Sequence, residues 1–159
     1  DNNKVYFNKL IDRFKKIKYF DLERVIFIDP LSRENYINHL GASSVLLDPL
    51  YFGAGNSFHE SMVYGTPTVT MPTKFIKSRI VSAAYIQMEI DNPPVVKNKN
   101  EYIDLAIDIA NKKNLLEIKK YYQECAMKKL FNTKKAGEEF NQILLNLYQW
   151  SFKTLYCIF

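Results

Sequence analysis

The sequence predicts an α/β fold: a partial Rossmann-like parallel sheet with flanking helices and a helical C-terminus. Three observations carry this expectation. Short runs of β-branched and apolar residues recur at Arg24–Ile28, Val45–Leu47 and Thr68–Met71, with the length and composition of buried strands. Each run meets a proline as it ends, at Asp29-Pro30, Asp48-Pro49 and Pro72, as strands do where they leave a sheet. Helical patterns separate the runs, and a β-α-β-α-β order over about 50 residues favours parallel strands of the doubly wound type.

Residues 4–19 place Val5, Leu10, Ile11, Phe14 and Ile17 on one face among lysines, as an amphipathic helix does. A loop at 19–23 leads into the first expected strand, Arg24–Ile28. Ser32 is a good N-cap for a helix over 33–40, with Tyr36, Ile37 and Leu40 inward and Gly41 as its stop. The second strand ends at Asp48, which fixes the following turn. Gly53-Ala54-Gly55 then lets the backbone take positive φ or approach a ligand closely. Asn56 or Ser57 caps a helix through Phe58, Met62 and Val63, and Gly65 stops it before the third strand.

Beyond Pro72, Lys74 and Lys77 occupy a loop, and Ser78 opens a helix through Ile80, Ala83, Ala84, Ile86 and Gln87. Asp91-Asn92-Pro93-Pro94 breaks it, and Val95-Val96 makes a last short strand. Helices are expected at 101–111, 114–130 and 134–153. Three firm strands ahead of four helices are too little sheet for a complete nucleotide-binding α/β domain. Asp1 is also not a methionine, so the chain reads as a fragment with strands expected upstream. The division is an incomplete Rossmann-like domain at 1–131 and a C-terminal helix at 132–159. Leu147, Trp150, Phe152, Leu155, Tyr156, Ile158 and Phe159 make that end too apolar for a free tail.

The 159 residues carry 22 Lys and Arg against 17 Asp and Glu, a net charge of +5. The excess falls as doublets on helical patterns, such as Lys112-Lys113 and Lys119-Lys120, which indicates solvated faces and no nucleic-acid track. Cys125 and Cys157 have no metal-ligand spacing, and no signal peptide or membrane-spanning run is present, so a reduced, cytoplasmic setting is expected. No His, Cys, Asp or Glu cluster has metal spacing, so no metal is expected, and His59 reads as structural. The glycine turn that feeds a helix after a strand is an anion site by its free N–H groups and helix dipole. Phosphate is its natural guest.

Four segments, RVIFIDPLSRENYINHL, VLLDPLYFGAGNSFHESMVYGTPTVTMP, KSRIVSAAYIQ and KKLFNTKKAGEEF, taken together resemble the C-terminal part of the SPINDLY and O-linked N-acetylglucosaminyltransferase family. The likeness runs over about residues 22–150, with the segments in the family's order. It implies a GT-B glycosyltransferase whose Rossmann-like C-terminal domain, here 1–131, holds a nucleotide sugar. The last helix would pack back on an N-terminal catalytic domain that this sequence lacks, as it lacks the family's diphosphate-binding lysine. The implied parent reaction is inverting transfer of a hexose or N-acetylhexosamine from a UDP-sugar, UDP-GlcNAc or UDP-glucose, to a protein side chain, with no other cofactor. Tetratricopeptide repeats upstream would belong to the same picture, and the fragment alone would be inactive.

Residue by residue, the resemblance implies uracil contact through the backbone near Leu31. Arg33 replaces the family's lysine toward a phosphate or ribose oxygen and is the one candidate stabiliser of the leaving group. His39 stands at a uracil-stacking position where better known members have arginine. Gly55, Asn56 and Ser57 match the diphosphate-binding residues, with Gly55 in place of a histidine of animal members. Glu60 matches the acid that accepts from ribose hydroxyls. Helix geometry agrees with that last role. Glu60 follows Asn56 by four residues, so it stands one turn beyond a phosphate at the helix tip, on the same face.

Plainer readings stay open beside these. Asn56 and Ser57 serve equally as caps, Glu60 as a first-turn acid, His39 as a surface residue and Arg33 as a salt-bridge partner of Glu34. Lys77 and Arg79 are further pyrophosphate neighbours, and Tyr51-Phe52 either wall the cleft or simply pack. Two rival functions also stand: a GT-B enzyme of cell-surface glycans, and a noncatalytic nucleotide-binding or interaction module. Some family members use GDP-fucose, so the base rests on the resemblance alone.

Overall fold

The computed structural model describes residues 2–155. Two compact units emerge, Asp1–Ser32 and Arg33–Phe159. The first holds helix α1 (Asn2–Lys15), whose last turn carries Arg13 and Lys15 against the negative end of the helix dipole. A 3-10 turn at Leu22–Arg24 follows, capped by Asp21, whose Oδ1 accepts from the Glu23 N–H at 3.0 Å. Aromatic contacts tie helix and return segment together. Phe7 meets Phe27 edge to face at 4.5 Å between centroids, and Phe14 stacks on Phe20 at 4.8 Å.

The strand expected at Arg24–Ile28 does not form. Arg24 belongs to the 3-10 turn, and residues 25–30 pair with no strand among the described residues. A strand is stabilised by its neighbours across the ladder, and here Ile26 is 81% exposed. The apolar run has strand propensity without a sheet to satisfy it.

The second unit is mostly helical around a small parallel sheet. Helix α2 (Arg33–Ala42) leads to strand β1 (Leu46–Leu47), then helix α3 (Asn56–Met62) to strand β2 (Thr68–Val69). The strands pair in parallel with Leu46 opposite Thr68 and Leu47 opposite Val69. Val95 adds a parallel bridge to Thr70 on the far side of β2, with Thr70 N–H donating to Pro94 O at 3.0 Å and Val96 N–H to Thr70 O at 2.9 Å. The Rossmann-like character is therefore partial: the crossover β1-α3-β2 is present, on two strands and a bridge.

Four more helices complete the unit: α4 (Ile80–Met88), α5 (Lys99–Ala110), α6 (Leu115–Cys125) and α7 (Thr133–Leu155). Helix α4 ends at Glu89 in the left-handed conformation, ahead of the predicted Asp91–Pro94 break. Asn98 caps α5 by accepting from the Glu101 N–H, while Glu101 accepts in return from the Lys97 N–H. A π turn at Ala126–Leu130 closes α6. The larger core joins Phe58 and Met62 of α3 to Val81, Tyr85 and Met88 of α4 and Tyr122 of α6. Burying each of these large side chains contributes about 1.5–3 kcal/mol. A second cluster packs Val69 of β2 against Ala106 and Ile109 of α5.

Helix α6 ties down the C-terminal ends of α2 and α3. Lys119 Nζ donates to the carbonyls of Gly41 at 2.7 Å and Ser43 at 2.6 Å, and Gln123 Nε2 to that of Val63 at 2.6 Å. Burial holds the Lys119 ammonium below its ordinary pKa. Gly65 stops α3 as expected. Its φ of 66° is left-handed, and a Cβ there would fall on the Lys119 carbonyl oxygen. Gly41 does not stop α2, which runs on to Ala42. The glycine lets the Tyr64 ring lie where a Cβ would be.

Helix α7 forms over nearly the expected span, and its side chains from Lys134 to Trp150 are all exposed. The apolar calls at Phe152 and Leu155, and at Tyr156, Ile158 and Phe159, concern side chains outside the described set. Among the described residues no helix is long and apolar enough to cross a membrane.

Candidate functional site

With the far ends of α2 and α3 held by α6, their first turns face a cleft of about 620 Å³ at the carboxyl end of β1. Open α/β sheets take ligands at this edge, where strand ends and helix starts leave backbone groups unspent. Leu47 and Pro49 form its base, Phe52 to Gly55 its loop, Asn56 and Ser57 its helix start, Tyr36 its α2 wall and Ile80 its α4 wall. The Tyr36 hydroxyl donates to Ser57 Oγ at 2.9 Å and so joins α2 to α3 across the cleft.

The loop is held by Asp48, 2% exposed at the end of β1. Its Oδ1 accepts from the Ala54 N–H at 2.6 Å and its Oδ2 from the Thr70 hydroxyl at 2.6 Å. Its carbonyl accepts from the Tyr102 hydroxyl at 2.8 Å. Burial, with the Asp48 charge second, pushes the Tyr102 phenol up to about 12, so Tyr102 stays a donor. Asp48 thus fixes the turn, as the sequence suggested. The Lys77 carbonyl adds a second anchor, accepting from the Gly53 N–H at 2.8 Å.

Neither glycine of this loop has positive φ, which among the glycines belongs to Gly65 alone, and Gly53 acts by space. A Cβ at Gly53 would lie 3.0 Å from the Lys77 carbonyl oxygen and 3.2 Å from Asp48 Oδ1. At Gly55, with φ of −70°, it would meet only Ile80 Cδ1 at 3.9 Å. Gly55 is also the N-cap of α3, which corrects the expectation that Asn56 or Ser57 caps it. No side chain caps this helix start. Asn56, exposed, and Ser57, half-buried, are its first two residues.

One turn further, Glu60 Oε1 lies 3.9 Å from Arg33 Nε, joining the start of α2 to α3. The partner expected for Arg33 in the plainer reading, Glu34, is not the one it takes. The structure therefore brings Gly55, Asn56 and Ser57 into one cleft and sets Glu60 and Arg33 beside each other. His39 is exposed on α2 and is not part of the cleft lining, and Leu31 is an exposed residue of the first unit. Phe52 lines the cleft, whereas Tyr51 is 82% exposed outside it. Tyr36 is the residue that sequence reasoning undervalued. The helical pattern marks it as an inward packing position, yet a phenol turned inward needs a hydrogen-bond partner. Among the described residues no three His, Cys, Asp or Glu side chains converge as metal ligands.

A solved structure of a mutant O-GlcNAc transferase from Thermobaculum terrenum matches the chain with a TM-score of 0.66 at 20% identity. The match covers 79% of this chain and 24% of that one, so the chain spans a minor part of its length. The likeness is one of fold, a mainly helical piece of a GT-B architecture. The sequence itself matches Glycosyl transferase family 41 over residues 8–140, and the chain belongs to that family.

Proposed function

We propose that this chain is the donor-binding part of an inverting protein O- or N-glycosyltransferase, transferring a hexose or N-acetylhexosamine from a UDP-sugar to a protein side chain. The observation that carries the reading is the Tyr36–Ser57 hydrogen bond, which closes the first turns of α2 and α3 around one cleft at the end of β1. The uncapped start of α3 offers N–H groups to a diphosphate at Gly55, Asn56 and Ser57. Glu60, one turn on, accepts from ribose hydroxyls. Arg33 is 83% exposed and free to turn from Glu60 toward a phosphate oxygen.

In the reaction an acceptor heteroatom attacks the anomeric carbon and gives up its proton to an acceptor-side base or to solvent, while the bond from that carbon to the diphosphate oxygen breaks. Negative charge grows on the leaving diphosphate, and the α3 amides and Arg33 stabilise it. Acceptor-side groups come from an N-terminal catalytic domain, against which α7 packs, and the setting is cytoplasmic. Calorimetric titration of the full-length protein with UDP, GDP and ADP tests the donor assignment. UDP binding about tenfold tighter than the others, a difference near 1.4 kcal/mol, is expected. Tighter GDP binding would remove the uridine assignment.

A further inference from the structure

A second pocket, of about 520 Å³, adjoins the cleft and shares Ile80 with it. One face of α4 forms its wall, because Ile80, Ala83 and Gln87 recur at helical spacing, and Leu130 of the π turn adds to the apolar surface. Three basic side chains line it, Lys74, Arg79 and His59, and no acidic residue does. Neither Lys74 nor Arg79 enters an ion pair among the described residues. Arg79 sits at the N-cap of α4, and its guanidinium makes no hydrogen bond or ion pair among the described residues.

His59 connects the pocket to the cleft. Its Nδ1 lies 2.9 Å from the Gly55 carbonyl oxygen. A carbonyl only accepts, so Nδ1 carries a proton there and the ring is held against the α3 cap. The same carbonyl belongs to the α3 cap that the diphosphate would meet.

We propose that the pocket takes an acidic side chain, Asp or Glu, of the acceptor peptide. Its methylene stem packs on Ile80, Ala83 and Leu130, while Lys74 and Arg79 meet its carboxylate. A bare inorganic anion would use the charges and leave the apolar wall unfilled. A neutral side chain would bring no counter-charge to Arg79, or to Lys74, whose ammonium otherwise rests over the Phe75 ring at 5.3 Å. The inference rests on the glycosyltransferase reading only in naming the peptide an acceptor.

The test is an NMR titration of the full chain without nucleotide, with Ac-Ala-Glu-Ala-NH2, Ac-Ala-Gln-Ala-NH2 and inorganic phosphate as probes. The glutamate peptide should shift the His59 ring and Arg79 side-chain signals and bind about tenfold tighter than the glutamine peptide. Arg79→Gln or Lys74→Gln should reduce that preference by severalfold, with the backbone spectrum unchanged. Equal affinity for the two peptides, an undiminished preference in both variants, or tighter binding of phosphate than of the glutamate peptide overturns the proposal. UDP titration, followed at the Ser57 amide, is a separate readout. Glutamate-peptide binding without UDP binding would sink the donor assignment and spare the pocket, and the reverse would sink the pocket alone.

Discussion

A single oxygen of Tyr85 closes the backbone of Thr68. Tyr85 Oη accepts from the Thr68 N–H at 2.8 Å and donates to the Thr68 carbonyl at 3.0 Å. Both residues are fully buried. Among the described residues, the side of β2 that faces Val95 at Thr70 has no strand opposite Thr68, and the phenol takes the place of one. Tyr85→Phe keeps the ring's contacts with Phe58 and Tyr122 but leaves both backbone groups unpaired. At about 1–3 kcal/mol for each buried group left unsatisfied, the loss should reach at least about 2 kcal/mol. Urea unfolding gives the total, and hydrogen exchange at the Thr68 amide localises it. An unchanged Thr68 exchange rate would show that the phenol does not hold the strand.

Stability should fall steeply in alkali. Burial, followed by the neighbouring Tyr121 and Cys125, pushes the Tyr122 phenol from its ordinary 10 up to about 12. Burial raises the Tyr85 phenol further still. Above pH 10 the unfolded chain loses protons that the folded chain keeps, so folding binds protons and stability declines with rising pH. The contribution of these phenols is whole below pH 10 and drains away as the pH climbs toward 12. Each well-buried phenol adds about 1.4 kcal/mol per pH unit to that slope, and the less buried Tyr102 adds less through solvent screening. Tyr122→Phe should make the alkaline limb of urea midpoints shallower by roughly one such increment. A limb of unchanged slope would assign it to other groups.

Asp48 should matter to ligand affinity without touching the ligand. Asp48→Ala removes the acceptors of the Ala54 N–H and the Thr70 hydroxyl, at a cost of about 2–4 kcal/mol. The loop that carries Phe52, Gly53, Ala54 and Gly55 then loses its inner anchor. UDP affinity should fall about tenfold or more even at temperatures where the variant stays folded. Asp48→Asn keeps one carbonyl acceptor and should fall between. Full UDP affinity in folded Asp48→Ala would show that the loop is held from elsewhere.

The parts of this fold that local chemistry decides were legible in the residues. Gly65 had to stop a helix, Asp48 had to fix a turn at a strand end, and Thr68-Val69 had to be a strand. Packing decided the rest. Arg24–Ile28 has strand composition but no ladder to join. Gly41 has the composition of a helix stop, whereas its missing side chain admits the Tyr64 ring. The joining contacts Tyr36–Ser57 and Tyr85–Thr68 link residues 21 and 17 positions apart, and no spacing rule reaches them. Glu60 was placed beyond Asn56 by helix geometry, but its approach to Arg33 depends on how α2 crosses α3.

That approach yields the sharpest test of the ribose assignment. With Arg33 mostly exposed and the closest atoms 3.9 Å apart, the pair contributes at most about 0.5 kcal/mol to folding. Glu60→Ala should therefore leave the urea midpoint nearly unchanged while weakening UDP severalfold more than inorganic pyrophosphate, which has no ribose to lose. Arg33→Ala should do the opposite, weakening both ligands alike through the phosphate oxygens they share. Equal losses of UDP and pyrophosphate in Glu60→Ala would place the ribose away from α3. If the ribose assignment holds, the Arg33–Glu60 contact is a resting arrangement that the nucleotide opens. Either single variant already removes it, so the double variant should lose UDP affinity by more than the sum of the two single losses, by up to the pair's own energy of about 0.5 kcal/mol.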